Sequence, residues 1–496
     1  VLELPDAFKV FLNRYYPAYI EKPGRQVSDQ DFSFYIKTRQ VDDYVKLLDK
    51  KLGGFNNSTF SGNLKLAQNE MNVNASVPEF SYDGKRFSNV DLVSRGNLDS
   101  LNATISVSDV GLSDSFHLPN TRLVLSARND ISNIQLTTSA SKTLSEAKFN
   151  ASVQTLSDGV RIHLFPSSFI LNDKKWNLEK DGEITVRRSY IDAKGVRFTQ
   201  GDQEIVIDTE LDELTDHTNL VAKLRKVNIN DFTPLFMAQP RLEGIITGTV
   251  KLKDPFGKQV IEYDARAENV RVDNKDIGRV NVKGDVNTST GLVKVKADAD
   301  GKDYKFNFDG IYNYKDTTGN QMDIAFSSER FDISMLDNYM GGIFSNMQGN
   351  AVSDLRVKGG GDHKYITGSV AVEGGSFKVK YTQVKYKFDN ETIIFNPDEI
   401  DLGTIQLKDT LNNSGTASGK IQHNFFNDFG FDNMRFQTNK MLLLNTTKRD
   451  NSQFYGKVVG KAVMTLDGPI TDMRMDITGE PSPTDSSHIY IPTSSS

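Results

Sequence analysis

The side chains that could do chemistry are spread thinly along this chain, and the tightest group of them is acidic. Asp298, Asp300 and Asp303 surround Gly301, a spacing that resembles part of a calcium-binding loop, whose carboxylates hold a hard cation. The remaining ligands of such a loop are missing, and alternating segments flank the group on both sides. A hairpin turn between two strands is therefore the favoured interpretation.

Histidine is the most versatile catalytic base and metal ligand, and it occurs six times. No pair of histidines has the HxH or HExxH spacing, and the chain has no cysteine that could share a metal ion. The sequence therefore predicts no metal site. The histidines are His117, His163, His217, His363, His423 and His488.

Two further patterns lack the context that an active site needs. Gly359, Gly360 and Gly361 precede Asp362, but no helix with Lys-Ser/Thr follows, so this stretch is not a phosphate-binding loop. The chain has no G-x-S-x-G nucleophile motif. We therefore expect a protein that is not an enzyme and that uses no cofactor.

The composition narrows the class of partner. The net charge is −6, so the chain lacks the basic field with which proteins hold nucleic acid. Only 37% of the residues are hydrophobic, which favours a sheet with one apolar face over a deep compact core. No apolar run is long enough to cross a bilayer. The chain starts at Val1, and we expect targeting or anchoring elements to lie outside it.

The dominant pattern is an alternation of apolar and polar residues from about residue 59 onward. Alternate side chains of a strand point to opposite faces, so each such segment predicts a strand with one apolar face. Short turn signals such as Asp158-Gly159 separate the segments, which indicates an antiparallel meander. At twelve to thirteen residues per strand and turn, the chain would form about 40 strands extending over about 190 Å.

The apolar members of the clearest strands are the candidate lining of that face. They are Ile184, Val186, Ile205, Ile207, Val250, Leu252, Val280, Val282, Val293, Val295, Phe306, Phe308, Val384, Tyr386 and Phe388. Which set of alternate side chains faces inward depends on the pairing register, because a slip of one residue moves every side chain of a strand to the opposite face.

Helices are few in the predicted fold. An amphipathic segment from Phe8 to Tyr16 stops before Pro17 and favours a packing cap over a membrane-surface helix. Three short helical stretches, at 41–48, 227–236 and 331–340, each follow a strand and precede a strand led by glycine. This order predicts a degenerate supersecondary repeat, although such caps also arise by chance in long β-proteins.

Two ordered sets of segments resemble the TamB group of the AsmA-like proteins, in its Bacteroidota form. The sole tryptophan, Trp176, occupies the place where that family has one, and Phe454, Tyr455 and Gly456 belong to the more specific C-terminal set. The first set comprises residues 164–168, 176–178, 184–198 and 203–207. The second comprises residues 375–377, 386–388, 407–409, 419–423, 444–447, 450–456, 468–469 and 489–492.

The resemblance implies an all-β fold: an elongated, curled antiparallel sheet that forms a U-shaped apolar groove with a few short helices. It implies a periplasmic protein, anchored in the inner membrane by an element outside this chain, that carries phospholipid acyl chains toward the outer membrane. It further implies cooperation with a TamA-type outer-membrane barrel protein in barrel assembly. The family's membrane anchor and the end of its C-terminal domain are not matched.

These expectations divide the chain into four segments. Residues 1–30 form a helical cap, 31–165 a first groove segment, 166–350 a second groove segment, and 351–496 an incomplete C-terminal TamB-like segment.

Three alternatives remain open from the residues alone. The apolar face could pack on a second sheet, because a β-sandwich alternates in the same way. The chain could act as a chaperone for outer-membrane strands by β-augmentation. It could also be a structural or adhesin-like array without a ligand.

Overall fold

The computed structural model describes residues 4–25, 27–29, 31–111, 117–139, 144–212, 218–235, 239–361 and 363–492. It divides the chain into two compact units, unit 1 (Val1–Ala265) and unit 2 (Arg266–Ser496). Of the described residues, 69% are in strands and 7% in helices. The four segments predicted from the sequence remain a prediction beside this division.

Unit 1 consists of short helices and an antiparallel sheet. Its helices are α1 (Leu4–Tyr15), α2 (Asp42–Leu48), α3 (Ile229–Phe232) and a 3-10 turn (Thr233–Leu235). Its strands are β1 (Asp31–Lys37), β2 (Leu52–Gly54), β3 (Thr59–Lys65), β4 (Glu70–Tyr82), β5 (Lys85–Gly96), β6 (Leu101–Gly111), β7 (His117–Arg128), β8 (Ile131–Ser139), β9 (Leu144–Leu156), β10 (Gly159–Leu164), β11 (Ser167–Leu171), β12 (Lys174–Leu178), β13 (Gly182–Arg187), β14 (Tyr190–Lys194), β15 (Val196–Gln200), β16 (Gln203–Leu211), β17 (Thr218–Asn228) and β18 (Leu242–Lys253). The division between the units falls within β19 (Val260–Val272).

Unit 2 is built in the same way. Its two 3-10 helices are Ile333–Asn338 and Ile470–Asp472. Its strands are β20 (Lys275–Asn287), β21 (Leu292–Asp300), β22 (Tyr304–Asn313), β23 (Met322–Phe331), β24 (Phe344–Gly360), β25 (His363–Val379), β26 (Val384–Asn396), β27 (Glu399–Lys408), β28 (Ser414–Asn424), β29 (Asn427–Thr446), β30 (Tyr455–Pro469), β31 (Arg474–Pro481) and β32 (His488–Tyr490).

The predicted fold class is confirmed: the chain is all-β, its strands form an open, curled antiparallel sheet, and its helices are few and short. The predicted number of strands is too high, because the described residues form 32. Several strands run longer than the estimate assumed, such as β29 with 20 residues. The turn predicted around Gly301 is also confirmed, since it joins the antiparallel strands β21 and β22 and its N–H donates to Tyr304 O at 2.8 Å.

Helical turns occur at all three stretches that the repeat predicts. Two of them are capped by the residue that ends the preceding strand or follows it, as expected for short polar side chains. The Asn228 side chain accepts from Asn230 N–H at 3.1 Å, and the Asp332 carboxylate accepts from Ser334 N–H at 2.9 Å. The α2 helix is capped from outside, because Asn56 Oδ1 accepts from Val41 N–H at 2.6 Å.

Candidate functional site

The clearest feature of unit 2 is a continuous row of apolar side chains and glycine across ten neighbouring strands, β20 to β29. Each member is the direct cross-strand partner of the next, so the row runs perpendicular to the strands on one face. We call it the unit 2 row. Its members are Val282, Ala297, Phe308, Phe326, Leu355, Gly368, Phe395, Ile400, Ile421 and Phe431.

The first five members of this row, Val282 to Leu355, are half-buried, so part of each side chain stays accessible to solvent, and we call them the open strip. Their strand neighbours on the other face, Lys283 and Asn307, are exposed. The alternation predicted from the sequence is therefore present here, with an apolar and a polar face on the same strands. An apolar face that stays partly open to solvent can take up an apolar ligand.

The other predicted lining residues of β20 to β22 lie in rows beside the open strip. In one of these rows Val280 is paired with Ala299, which is paired in turn with Phe306. In another, Val295 is paired with Gly310. Val293 lies one row farther out, opposite Val286. The predicted residues Val280, Val293, Val295 and Phe306 are half-buried, like the open strip.

The row through Phe306 passes through two hydroxyls that pair with each other before it continues to Val370. Ser328 and Ser353 are buried, their Oγ atoms are 2.8 Å apart, and Ser353 N–H donates to Ser328 Oγ at 3.1 Å. Because these polar groups are satisfied internally, they interrupt the apolar surface little.

Three of the predicted lining residues lie in a closed core and not on an open surface. Val384, Tyr386 and Phe388 are buried in one cluster with Met441 and Leu442 of β29. The Tyr386 hydroxyl donates to Leu442 O at 3.2 Å, and burial raises the pKa of this phenol. This stretch is filled by protein side chains, and its strand alternation alone does not distinguish it from the open strip.

In unit 1 the six predicted residues also share one face. Ile184 lies between Ile162 and Ala193, and Val186 lies between Val160 and Ile191. The strand pairings that lead from β9 through β11, β12 and β15 to β16 place the remaining four predicted residues on the same face. Ile205 pairs with Phe198 and Leu224, Ile207 with Val196 and Ala222, Val250 with Ala222, and Leu252 with Leu220.

A second long row crosses unit 1 from β1 to β14. It consists of Phe32, Leu64, Met71, Gly96, Leu101, Ala127, Ser132, Val153, Ile162, Ile184 and Ala193. Of the predicted lining residues it contains Ile184.

The α1 helix covers part of that row. Its stripe of Ala7, Phe11 and Tyr15, at helical spacing, is 0% exposed and packs with Leu64, Met71 and Ala127. We call Leu64, Met71, Leu101 and Ala127 the covered strip.

Polar contacts fix α1 in place on the covered strip. The Tyr15 hydroxyl donates to Asn97 O at 2.6 Å, and burial raises the pKa of Tyr15. The Asp130 carboxylate accepts from Ala18 N–H at 2.9 Å. This helix therefore packs on the protein, which is the role that the sequence favours for it.

The α3 helix fills the apolar face at another place in unit 1. Phe232 contacts the ring of Trp176 edge-on, with centroids 5.6 Å apart, and Trp176 is fully buried. The predicted lining residue Ile205 packs against the same cluster.

An ion pair to a buried carboxylate anchors α3, and no pattern in the sequence predicts it. Asp231 is fully buried, and its carboxylate accepts from Lys174 Nζ at 2.8 and 2.9 Å. Asn172 Nδ2 lies 3.3 Å and Gln203 Nε2 3.4 Å from the same carboxylate. Lys174 and Asp231 are 57 residues apart, so only the fold brings them together.

The polar groups otherwise form no recognisable chemical centre. Within the described ranges there is no group of three or more His, Asp or Glu side chains placed to hold a metal ion. His217 and Asp362, two residues considered from the sequence, lie outside the described residues. Among the helices that the structure describes, none is long and apolar enough to cross a membrane.

The arrangement is therefore one of surfaces: apolar rows on one face, covered in some places and open in others, with a polar face opposite. A scan against protein-family models and searches of curated proteins and of solved structures found no match.

Proposed function

We propose that this chain is a non-enzymatic lipid conduit whose apolar rows carry phospholipid acyl chains. The observation that carries the proposal is the unit 2 row, which crosses ten directly paired strands without a charged residue and is partly accessible to solvent along the open strip. An acyl chain has no polar group to recognise, so a track for it needs continuity of apolar surface and no placed catalyst.

The dimensions of the open strip suit an acyl chain. Its five strands span about 19 Å at a spacing of about 4.8 Å. The acyl region of one leaflet is about 15 Å thick, half of the hydrocarbon core. Moving a methylene from water to an apolar lining is worth about 0.8 kcal/mol, so a sixteen-carbon tail gains on the order of 10 kcal/mol.

The cellular setting of this proposal comes from the TamB resemblance. We propose a periplasmic protein that is held at the inner membrane by an anchor outside this chain and moves phospholipids toward the outer membrane. In the same setting it works with a TamA-type barrel protein in outer-membrane protein assembly.

Photo-crosslinking in cells tests the lipid track. A photoreactive residue at Val282 or Phe308 should capture phospholipid, because both side chains belong to the open strip. The matched controls are the neighbours Lys283 and Asn307, on the exposed opposite face, which should capture little. Mass spectrometry of the adducts measures the yield. Equal yields from the two faces would rule out the track.

A second candidate function is supported by the exposed strand β31. In the described part of the chain it pairs with β30, and most of its residues, including Ile477, are exposed. A strand with one free edge can accept another strand by β-augmentation, as a chaperone for outer-membrane strands would. Crosslinks from Ile477 to unfolded barrel proteins, with none from Val282 to lipid, would favour this function over the lipid track.

A further inference from the structure

Unit 1 carries a concave polar site on the face opposite its apolar rows. This depression, which we call the polar depression, has a cavity volume of about 740 Å³. Eight of its twelve lining residues are asparagines or serines. The lining consists of Ser33, Gly62, Asn63, Glu70, Asn72, Asn74, Ser94, Arg95, Gly96, Asn97, Ser100 and Asn102.

The register of the strands concentrates amide groups in the polar depression. Asn63 is paired with Asn72, and Arg95 with Asn102, so these side chains form a row across β3 to β6. Asn72 Nδ2 donates to Asn63 Oδ1 at 3.0 Å. Asn74 and Asn102 are exposed, and neither amide has a hydrogen-bond partner within the described residues. Each such amide offers a donor and an acceptor to a ligand.

The charge of the polar depression excludes a polyanion as its ligand. Its charged lining residues are Glu70 and Arg95, whose opposite charges sum to zero. The polar face of unit 2 is built differently, with ion pairs such as Lys296–Asp309 at 2.9 Å and Arg356–Asp323 at 2.6 Å. The amides of unit 1 are therefore a local feature and not this chain's general way of solvating a sheet.

An exposed aromatic ring lies beside the polar depression. Tyr35 is 69% exposed and lies two residues from Ser33 on β1, so both side chains are on the same face. Its cross-strand partner is Ser61, whose next partner is Asn74. An amphipathic ring next to amides provides an apolar platform and hydrogen bonds together.

We propose that the polar depression binds a neutral oligosaccharide. Hydroxyl-rich rings present alternating donors and acceptors that match the amides, and their apolar faces can stack on Tyr35. The volume lies within the range of about 300–1,000 Å³ that is usual for ligand sites. Because alternate side chains of a strand point to opposite faces, the amides of this site do not share a face with the covered strip of unit 1.

Calorimetric titration of the full chain tests the proposal with maltotriose, cellotriose and chitotriose. At least one of these should bind with a Kd of about 1 mM or tighter. Asn102→Ala and Tyr35→Ala should each weaken that binding about five- to tenfold, since each removes one contact. Asn307→Ala is the matched control, an exposed amide on the polar face of unit 2, and should leave the Kd unchanged.

The proposal is overturned if none of the three sugars binds, or if Asn102→Ala and Tyr35→Ala bind as tightly as the unaltered chain. It is also overturned if only the acidic sugar trigalacturonate binds, since the ligand would then be recognised by charge. Circular dichroism of each variant ensures that a loss of binding does not reflect unfolding.

Discussion

The covered strip of unit 1 and the open strip of unit 2 have the same cross-strand construction but different surroundings. Leu64, Met71 and Ala127 are buried because α1 places Phe11 and Tyr15 on them. Val282 and Phe308 are half-buried and remain partly accessible to solvent. Strand alternation therefore produces an apolar face in both units, whereas a separate segment such as α1 determines whether protein side chains cover it.

The largest expected effect comes from removing the side chain that fills the covered strip. Phe11→Ala should lower the free energy of unfolding by about 4 kcal/mol, because it leaves a cavity under a fully buried ring. Phe308→Ala in the open strip should cost less, about 2 kcal/mol, since a half-buried ring loses less burial. Denaturant titration measures both, and equal losses would contradict the distinction between the two strips.

The ion pair under α3 tests whether this second segment is held as firmly as α1. Lys174→Met should destabilise the fold by about 3 kcal/mol, because it leaves the buried Asp231 carboxylate without its cation. Lys296→Met removes a partner of an exposed pair and should cost less than about 1 kcal/mol.

Adding Asp231→Leu to Lys174→Met should recover part of the lost stability, because the uncompensated charge is then gone. Thermal unfolding compares the three variants. If Lys174→Met costs no more than Lys296→Met, the ion pair does not anchor α3.

The smallest effect is expected from His423 in β28 of unit 2. Burial lowers the pKa of its imidazole, which is 4% exposed and stacks on Phe426 with centroids 5.2 Å apart. The folded state therefore resists protonation more than the unfolded state, whose histidine titrates near pH 6.5. The stability that the neutral imidazole contributes is fully present above the pKa of the unfolded state. It is lost as the pH falls from that value to the lower pKa of the folded state.

The temperature at the midpoint of unfolding should accordingly decrease as the pH is lowered from 7 to 5. In His423→Phe this temperature should depend on pH with a smaller slope. His488→Phe, which replaces an exposed histidine of unit 2, serves as the control whose slope is compared with that of His423→Phe. An identical slope in His423→Phe would show that the buried imidazole does not couple to folding.

The sequence predicts the class of fold well, because the pattern that indicates it is local. Alternation at Val280 and Val282, or at Phe306 and Phe308, is a local property that survives folding unchanged. The turn at Gly301 is local in the same sense.

The side chains that pack on the face of a strand come from distant parts of the sequence. The sequence pattern therefore does not predict them. Phe388 alternates like Phe308 but is buried in a cluster to which β29 contributes Met441 and Leu442. The pairing of Asp231 with Lys174 depends on the fold in the same way. The polar depression had a signal, Asn72 and Asn74 at alternate positions of β4, but amides at such positions are also common on plain solvated faces.

The pairing order of unit 2 bears on how the chain is made. From β20 to β31 each strand pairs with the next along the chain. Pairing two strands that are neighbours in sequence closes only a short loop. The loss of chain entropy that precedes each strand pairing is therefore small. As the chain is made from its N-terminus, each new strand therefore meets its partner already in place, and the sheet can grow by one strand at a time. With no cysteine in the chain, this growth needs no oxidation step.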